Sequence, residues 1–182
     1  LEFRRVLFRS FSDVKFFKIE LKETVTDSAF RAECLKELRT ELIGCRLVAL
    51  VNNAAEQIVK PIEDVTFEDW NSILSVNLLA PFFWAQYFLD LLEDSSGSVL
   101  NISSIHARQT KKDFSVYATS KAALSGLTRI MAIELGNRIR VNAIEPAAIS
   151  TQMLEAGFKN NHSERKKLDS YHPTKRKVLR MR

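Results

Sequence analysis

Apolar residues fall into short unbroken runs separated by longer amphipathic stretches, the pattern of strands alternating with helices. The run V-K-F-F-K-I-E-L over residues 14–21 predicts a strand. Thr26 or Asp27 can cap a helix with Phe30, Leu35, Leu38 and Leu42 on one side, and Gly44 can end it. R-L-V-A-L-V at 46–51, bounded by Asn52-Asn53, predicts a strand buried on both faces. After a loop containing Pro61, Thr66-Phe67-Glu68-Asp69 has the form of a capping box and opens a helix expected to reach about Leu92. Its Trp70, Ile73, Leu74, Leu78, Phe82, Phe83 and Phe88 cover more than one face, which asks for a second packing partner such as another subunit. Pro81 predicts a kink near Asn77, because it removes a backbone donor and crowds the preceding turn.

Ser95-Ser96-Gly97 reads as a turn and 98–103 as a buried parallel strand. A helix is expected over 115–135, ended by Gly136, and a further strand over 138–144. This alternation predicts an α/β fold, a doubly wound, Rossmann-like parallel sheet. From Glu155 onward the chain is polar and weakly periodic, suited to a mobile segment over a site.

The 182 residues, 46% apolar and 27% charged, suit one soluble domain, and no window is apolar enough to span a membrane. Cys34 and Cys45 read as reduced thiols of a cytoplasmic protein. The net charge of +5 invites a nucleic-acid partner, but residues 1–10 supply +2 and residues 165–182 supply +7. The body, 11–164, is left at −4, which argues against nucleic acid. Residues 1–10, L-E-F-R-R-V-L-F-R-S, show no cap or clean periodicity; they read as a non-native, adapter-derived segment and are set aside from the fold. Residues 177–182 read as a truncated or frame-shifted end, which leaves 11–176 as a partial domain.

The chemistry concentrates in N-I-S-S-I-H-A-R-Q-T-K-K-D-F-S-V-Y-A-T-S-K, residues 101–121. Ser104 would emerge at the carboxyl end of a parallel strand, where open α/β sheets bind ligands. Tyr117 and Lys121 are four apart, so a helix stacks them on one face, with the ammonium near enough to lower the phenol's pKa. His106 lies two residues from Ser104, but the chain has no Gly-x-Ser-x-Gly elbow, so it reads as a loop histidine beside the pocket. His162 and His172 have no metal-ligand spacing, and no metal is expected.

Together these residues resemble the short-chain dehydrogenase/reductase family. The resemblance rests on Asn52-Asn53-Ala54-Ala55 after a strand, Asn77 in S-V-N-L, Ser104 in N-I-S-S, and Tyr117-x-x-x-Lys121. V-N-A-I-E-P-A-A-I-S-T from Val141 to Thr151 extends it. It implies an oxidoreductase that interconverts an alcohol and a carbonyl of a small molecule with NAD or NADP. By the same resemblance Tyr117 is the general acid or base, Lys121 lowers its pKa and holds the nicotinamide ribose, and Ser104 hydrogen-bonds the substrate oxygen. Asn77 anchors a water in the proton relay. Asn52 and Ala54 match positions on the adenine-ribose side, as do Glu20 and Leu21 beside the adenine, while Pro146, Ile149 and Thr151 fall in the segment that meets the nicotinamide. A homo-oligomer is implied for the full-length protein.

Two departures bear on that reading. The family's Gly-rich phosphate turn has no counterpart among the five glycines, and Ala55 and Ala147 stand where the family carries glycine. The phosphate turn's absence motivates the alternative of an inactive fragment acting only as an association module.

Overall fold

The structure is a computed structural model that describes residues 6–9 and 14–147. The chain divides into two compact units, Leu1–Glu145 and Pro146–Arg182; of the second, only Pro146 and Ala147 are described. At the start, β1 (Val6–Arg9) and β2 (Val14–Phe17) pair antiparallel as a separate two-stranded sheet. This corrects one expectation: the strand expected over 14–21 stops at Phe17 and takes no place in the parallel sheet, pairing instead with a strand inside the segment set aside from the fold.

Glu20 precedes α1 (Leu21–Thr26), and Asp27 caps α2 (Ser28–Glu41) by accepting the amides of Ala29 and Phe30 at 2.8 and 3.0 Å. Gly44, at φ 75°, reverses the chain after that helix, as expected of a glycine past a helix end. The parallel sheet follows, with β3 (Ala49–Asn52), β4 (Ser98–Ile102) and β5 (Arg140–Ile144) in the order β3-β4-β5. Ala49 pairs with Ser98 and Ser98 with Arg140, so the carboxyl ends line up at Asn52, Ile102 and Ile144. β3 is shorter than expected and is not buried on both faces. Within the described sheet it bonds only to β4, and Val51 is 53% exposed.

The helix that crosses from β3 to β4 begins with the expected capping box, Thr66 and Asp69 satisfying each other's backbone amides. It is not continuous to Leu92. α3 (Phe67–Leu74) passes into a π-helical turn, Ser75–Leu79, then α4 (Ala80–Tyr87), and a break at Phe88 leads to α5 (Leu89–Asp94). The widened turn contains Asn77 and sits just ahead of Pro81, where the missing donor was expected to disturb the helix. From β4, α6 (Ser115–Leu135) returns to β5. No helix among the described residues is long and apolar enough to cross a membrane.

The main core joins Leu38, Trp84, Phe88, Leu92, Val99, Met131 and Val141, where each fully buried Leu or Phe contributes about 1.5–3 kcal/mol. A second, smaller cluster holds Ile73, Phe114, Val116 and Tyr117. Cys34 is buried and Cys45 is exposed; both are free.

Gly97 turns the chain into β4 at close quarters, since a Cβ there would lie 2.9 Å from the Leu47 carbonyl oxygen and 3.1 Å from that of Leu92. Backbone cannot yield as a flexible side chain can, so Gly97→Ala should cost about 1–3 kcal/mol in urea denaturation. Gly126→Ala in α6 is the control: its Cβ would meet only the tip of Arg129 at 3.7 Å, and helix propensity favours it by about 0.5–1 kcal/mol.

Candidate active site

β4 delivers Ser104 at its carboxyl end. The residue is extended (φ −162°, ψ 155°), buried, and caps a 3-10 turn, Ile105–Ala107, by accepting the His106 amide at Oγ over 3.2 Å. That bond leaves the Ser104 hydroxyl hydrogen free to be donated elsewhere, and the Ser104 side chain is also a hydrogen-bond partner of the Tyr117 phenol.

Tyr117 lies in the first turn of α6, 7% exposed, and Lys121 stands one turn further on, 2% exposed. Lys121 Nζ donates to the Ile102 carbonyl at 2.8 Å and lies 5.9 Å from the centre of the Tyr117 ring. Burial lowers the lysine pKa from 10.5 to about 8. The expectation that the ammonium lowers the phenol's pKa is overturned for this geometry. Burial, which disfavours the phenolate, raises the Tyr117 pKa above 10, and only the Ser104 hydrogen bond pulls the other way. The phenol is therefore neutral at pH 7.

Asn77 reaches the same region from the π-helical turn. Its Oδ1 accepts the Glu56 amide at 2.8 Å, and its Nδ2 donates to the Glu56 carbonyl and to Ser120 Oγ, both at 2.9 Å. Both amide donors are thus engaged in tying the loop after β3 to α6. Ser120 continues the link by donating to the Tyr117 carbonyl at 2.7 Å. Asn52, at the end of β3, donates to Asn101 Oδ1 at 2.8 Å, and Asn101 donates to Thr128 on α6 at 2.9 Å.

The structure brings Asn77, Ser104, Tyr117 and Lys121 together on one end of the sheet. Ala54 is half-buried in the loop after Asn52, and Ala55 is buried with no positive φ, so the methyl in place of the family's glycine is accommodated. Glu20 is exposed at the start of α1 and Leu21 packs on the main core; neither belongs to the hydrogen-bond network around Tyr117. Pro146 is half-buried at the start of the second unit, while Ile149, Thr151, His162, His172 and the stretch from Glu155 lie outside the described residues. His106 stacks on Phe114 at 4.7 Å and meets the edge of the Tyr117 ring at 5.9 Å. Burial and the nearby Lys111 charge hold its pKa below 6.5. Among the described residues no group of three His, Cys, Asp or Glu could hold a metal.

Sequence reasoning missed Ser103, Ser120, Ser125 and Thr128, all buried. Their signal was available: on α6 the small hydroxyls at 120, 125 and 128 recur on the side that Tyr117 and Lys121 share, where a sheet-packing helix ordinarily carries apolar residues.

The family model described as enoyl-(acyl carrier protein) reductase matches residues 14–181. The protein FixR of Bradyrhizobium diazoefficiens is 38% identical over 136 residues, covering 70% of this chain and 49% of that protein. The short-chain dehydrogenase/reductase FrzI of Cladobotryum sp. is 40% identical over 111 residues, covering 60% of this chain and 43% of its own length. The chain thus spans about half the length of the curated relatives it matches. Among solved structures, ElxO with NADP bound superposes with a TM-score of 0.75 at 25% identity, covering 91% of this chain and 65% of that one.

The depressed Lys121 pKa has a thermodynamic consequence. Between pH 8 and 10.5 the unfolded chain holds a proton that the folded chain has released, so this group's contribution to stability rises with pH across that window. Below pH 8 both states carry the charge and the desolvation cost is present in full. Lys121→Met should flatten this rise, on the order of 3 kcal/mol, in urea unfolding measured from pH 7.5 to 10.5. Parallel curves for the two proteins would show that the ammonium is not desolvated.

Proposed function

The chain belongs to the short-chain dehydrogenase/reductase family, and from that membership we propose that its protein interconverts a small-molecule carbonyl and alcohol with NAD or NADP. The observation that carries the reading is the convergence of Ser104, Tyr117 and Lys121 at the carboxyl end of the sheet, with the lysine buried to 2% exposure.

The donor set suits the nicotinamide-ribose half of such a cofactor. Lys121 Nζ has three N–H donors, and one of them meets the Ile102 carbonyl. Lys121 and Tyr117 would hold the ribose, and Asn52 with Ala54 would lie toward the adenosine side. When bound, the reduced nicotinamide supplies the hydride that goes to the carbonyl carbon.

The chain's own residues manage the oxygen. Ser104 directs its hydroxyl hydrogen at the carbonyl oxygen, one of its two lone pairs being taken by the His106 amide. Tyr117, neutral at pH 7, gives its proton to that oxygen as negative charge develops there. The phenolate left behind then takes a proton back from water. With its pKa raised by burial, the phenol holds its proton near neutral pH, the form that carbonyl reduction requires. Asn77 acts as a positioning residue, holding Glu56 and Ser120 so that the first turn of α6 keeps its place. The apolar surplus along α3 to α5, with Phe67 73% and Leu79 37% exposed, supports assembly into a homo-oligomer.

In the full-length enzyme, Tyr117→Phe should lower kcat/KM for carbonyl reduction by about 10²–10⁴-fold and leave NADH and NADPH binding, followed by nucleotide fluorescence, within about twofold. Turnover equal to the parent would overturn the proton-donor assignment. Loss of nucleotide binding in the parent protein would favour a catalytically inactive association module instead.

A further inference from the structure

Glu145, the last residue before Pro146, has both carboxylate oxygens engaged by different elements. Oε1 accepts from Ser125 Oγ on α6 at 2.8 Å, and Oε2 pairs with Arg108 Nε at 2.7 Å. Arg108 closes the 3-10 turn that Ser104 opens: the Ala107 amide donates to the Ser104 carbonyl at 3.0 Å, and the amides of Arg108 and Gln109 donate to the Ile105 carbonyl at 3.0 and 2.9 Å. The turn is therefore held at its start by the Ser104 hydroxyl and at its end by an ion pair to the residue after β5.

The other carboxylate oxygen leads back to the same site. Ser125 Oγ lies 2.8 Å from Ser103 Oγ, and Ser103 Oγ donates to the Lys121 carbonyl at 3.0 Å, while the Ser103 amide bonds the Ile144 carbonyl at 2.8 Å. One carboxylate thus connects the turn that carries Ser104 with the helix that carries Tyr117 and Lys121. A neutral residue at 145 could take only the helix side of this connection, since Arg108 is 76% exposed at its side chain and needs a charge to be held.

We infer that Glu145 is a positioning residue for the proton transfer, setting the Ser104 turn against the Tyr117 helix through Arg108 on one side and Ser125 on the other. The inference rests on the catalytic reading of Ser104 and Tyr117 given above. Because the Arg108 side of the clamp is exposed, salt screens it, whereas the Ser125 side is sheltered.

The test uses the full-length enzyme carrying Arg108→Gln, Glu145→Gln, the double change, and the exchanged pair Arg108→Glu with Glu145→Arg. Each single variant should lower kcat about three- to fivefold, the reach of one exposed ion pair, with the KM for nucleotide unchanged. The double variant should be no worse than either single one, the exchanged pair, which restores the ion pair but offers Ser125 no acceptor, should recover part of the loss, and the fall in parental kcat with added salt should vanish in Arg108→Gln. Amide exchange at Ala107 and Gln109 should quicken by a similar factor in both single variants, a readout that holds whether or not the protein turns over. Additive losses, no recovery in the exchanged pair, or unchanged exchange at these amides would overturn the inference. A Tyr117→Phe enzyme with full turnover alongside quickened exchange would instead overturn the catalytic reading and leave the clamp standing.

Discussion

A helix packed on a sheet ordinarily hides its apolar stripe, yet α6 turns Ser120, Lys121, Ser125 and Thr128 inward, each 6% exposed or less. Every one of these groups must find a partner or cost the free energy of an unmet buried donor. Ser120 meets Asn77, Lys121 meets the Ile102 carbonyl, Ser125 meets Ser103 and Glu145, and Thr128 meets Asn101. That requirement locks α6 to three other parts of the fold: the π-helical turn, the ends of β4 and β5, and through Asn101 the end of β3. The position of the Tyr117 phenol follows, because it stands on the first turn of a helix with no freedom to slide.

The same burial decides the electrostatics. Taking an ammonium and a phenol out of water disfavours the charged form of each, which moves the lysine pKa down to about 8 and the tyrosine pKa up. In such a dry site a hydrogen bond to a developing charge is stronger than in water. Ser104 is oriented for that role by its own backbone turn, since the His106 amide takes a hydroxyl lone pair and leaves the hydrogen to be donated. The π-helical turn serves the same end: Pro81 disturbs the helix ladder at the point where Asn77 must reach both the Glu56 backbone and Ser120.

Much of the fold was legible because its signals are local. The Asp27 cap, the Thr66 and Asp69 box, the Ser95-Ser96-Gly97 turn and the disturbance ahead of Pro81 each depend on a few neighbouring residues, and each stands where expected. The first strand was misread because a V-K-F-F run pairs equally well with whatever edge is near, and the edge it found is β1, in the segment set aside from the fold. Strand β3 was misread because an apolar run looks the same whether both faces or one are covered. In the site, Ser104, Tyr117 and Lys121 could be named from spacing. Glu145 and Arg108 could not, being 37 residues apart in sequence and joined only by the alignment of β4 with β5.

By itself, then, the sequence determined the order of elements, the caps and turns, and which residue types could do the chemistry, since these follow from backbone sterics, side-chain period and the identity of a hydroxyl, a phenol and an ammonium. Tertiary structure decided the sign of the tyrosine's pKa shift, the engagement of Asn77 by Glu56 and Ser120, and the carboxylate link between Arg108 and Ser125. Those depend on how much water is excluded and on which distant side chains are brought within hydrogen-bond reach, and neither quantity is local to any stretch of chain.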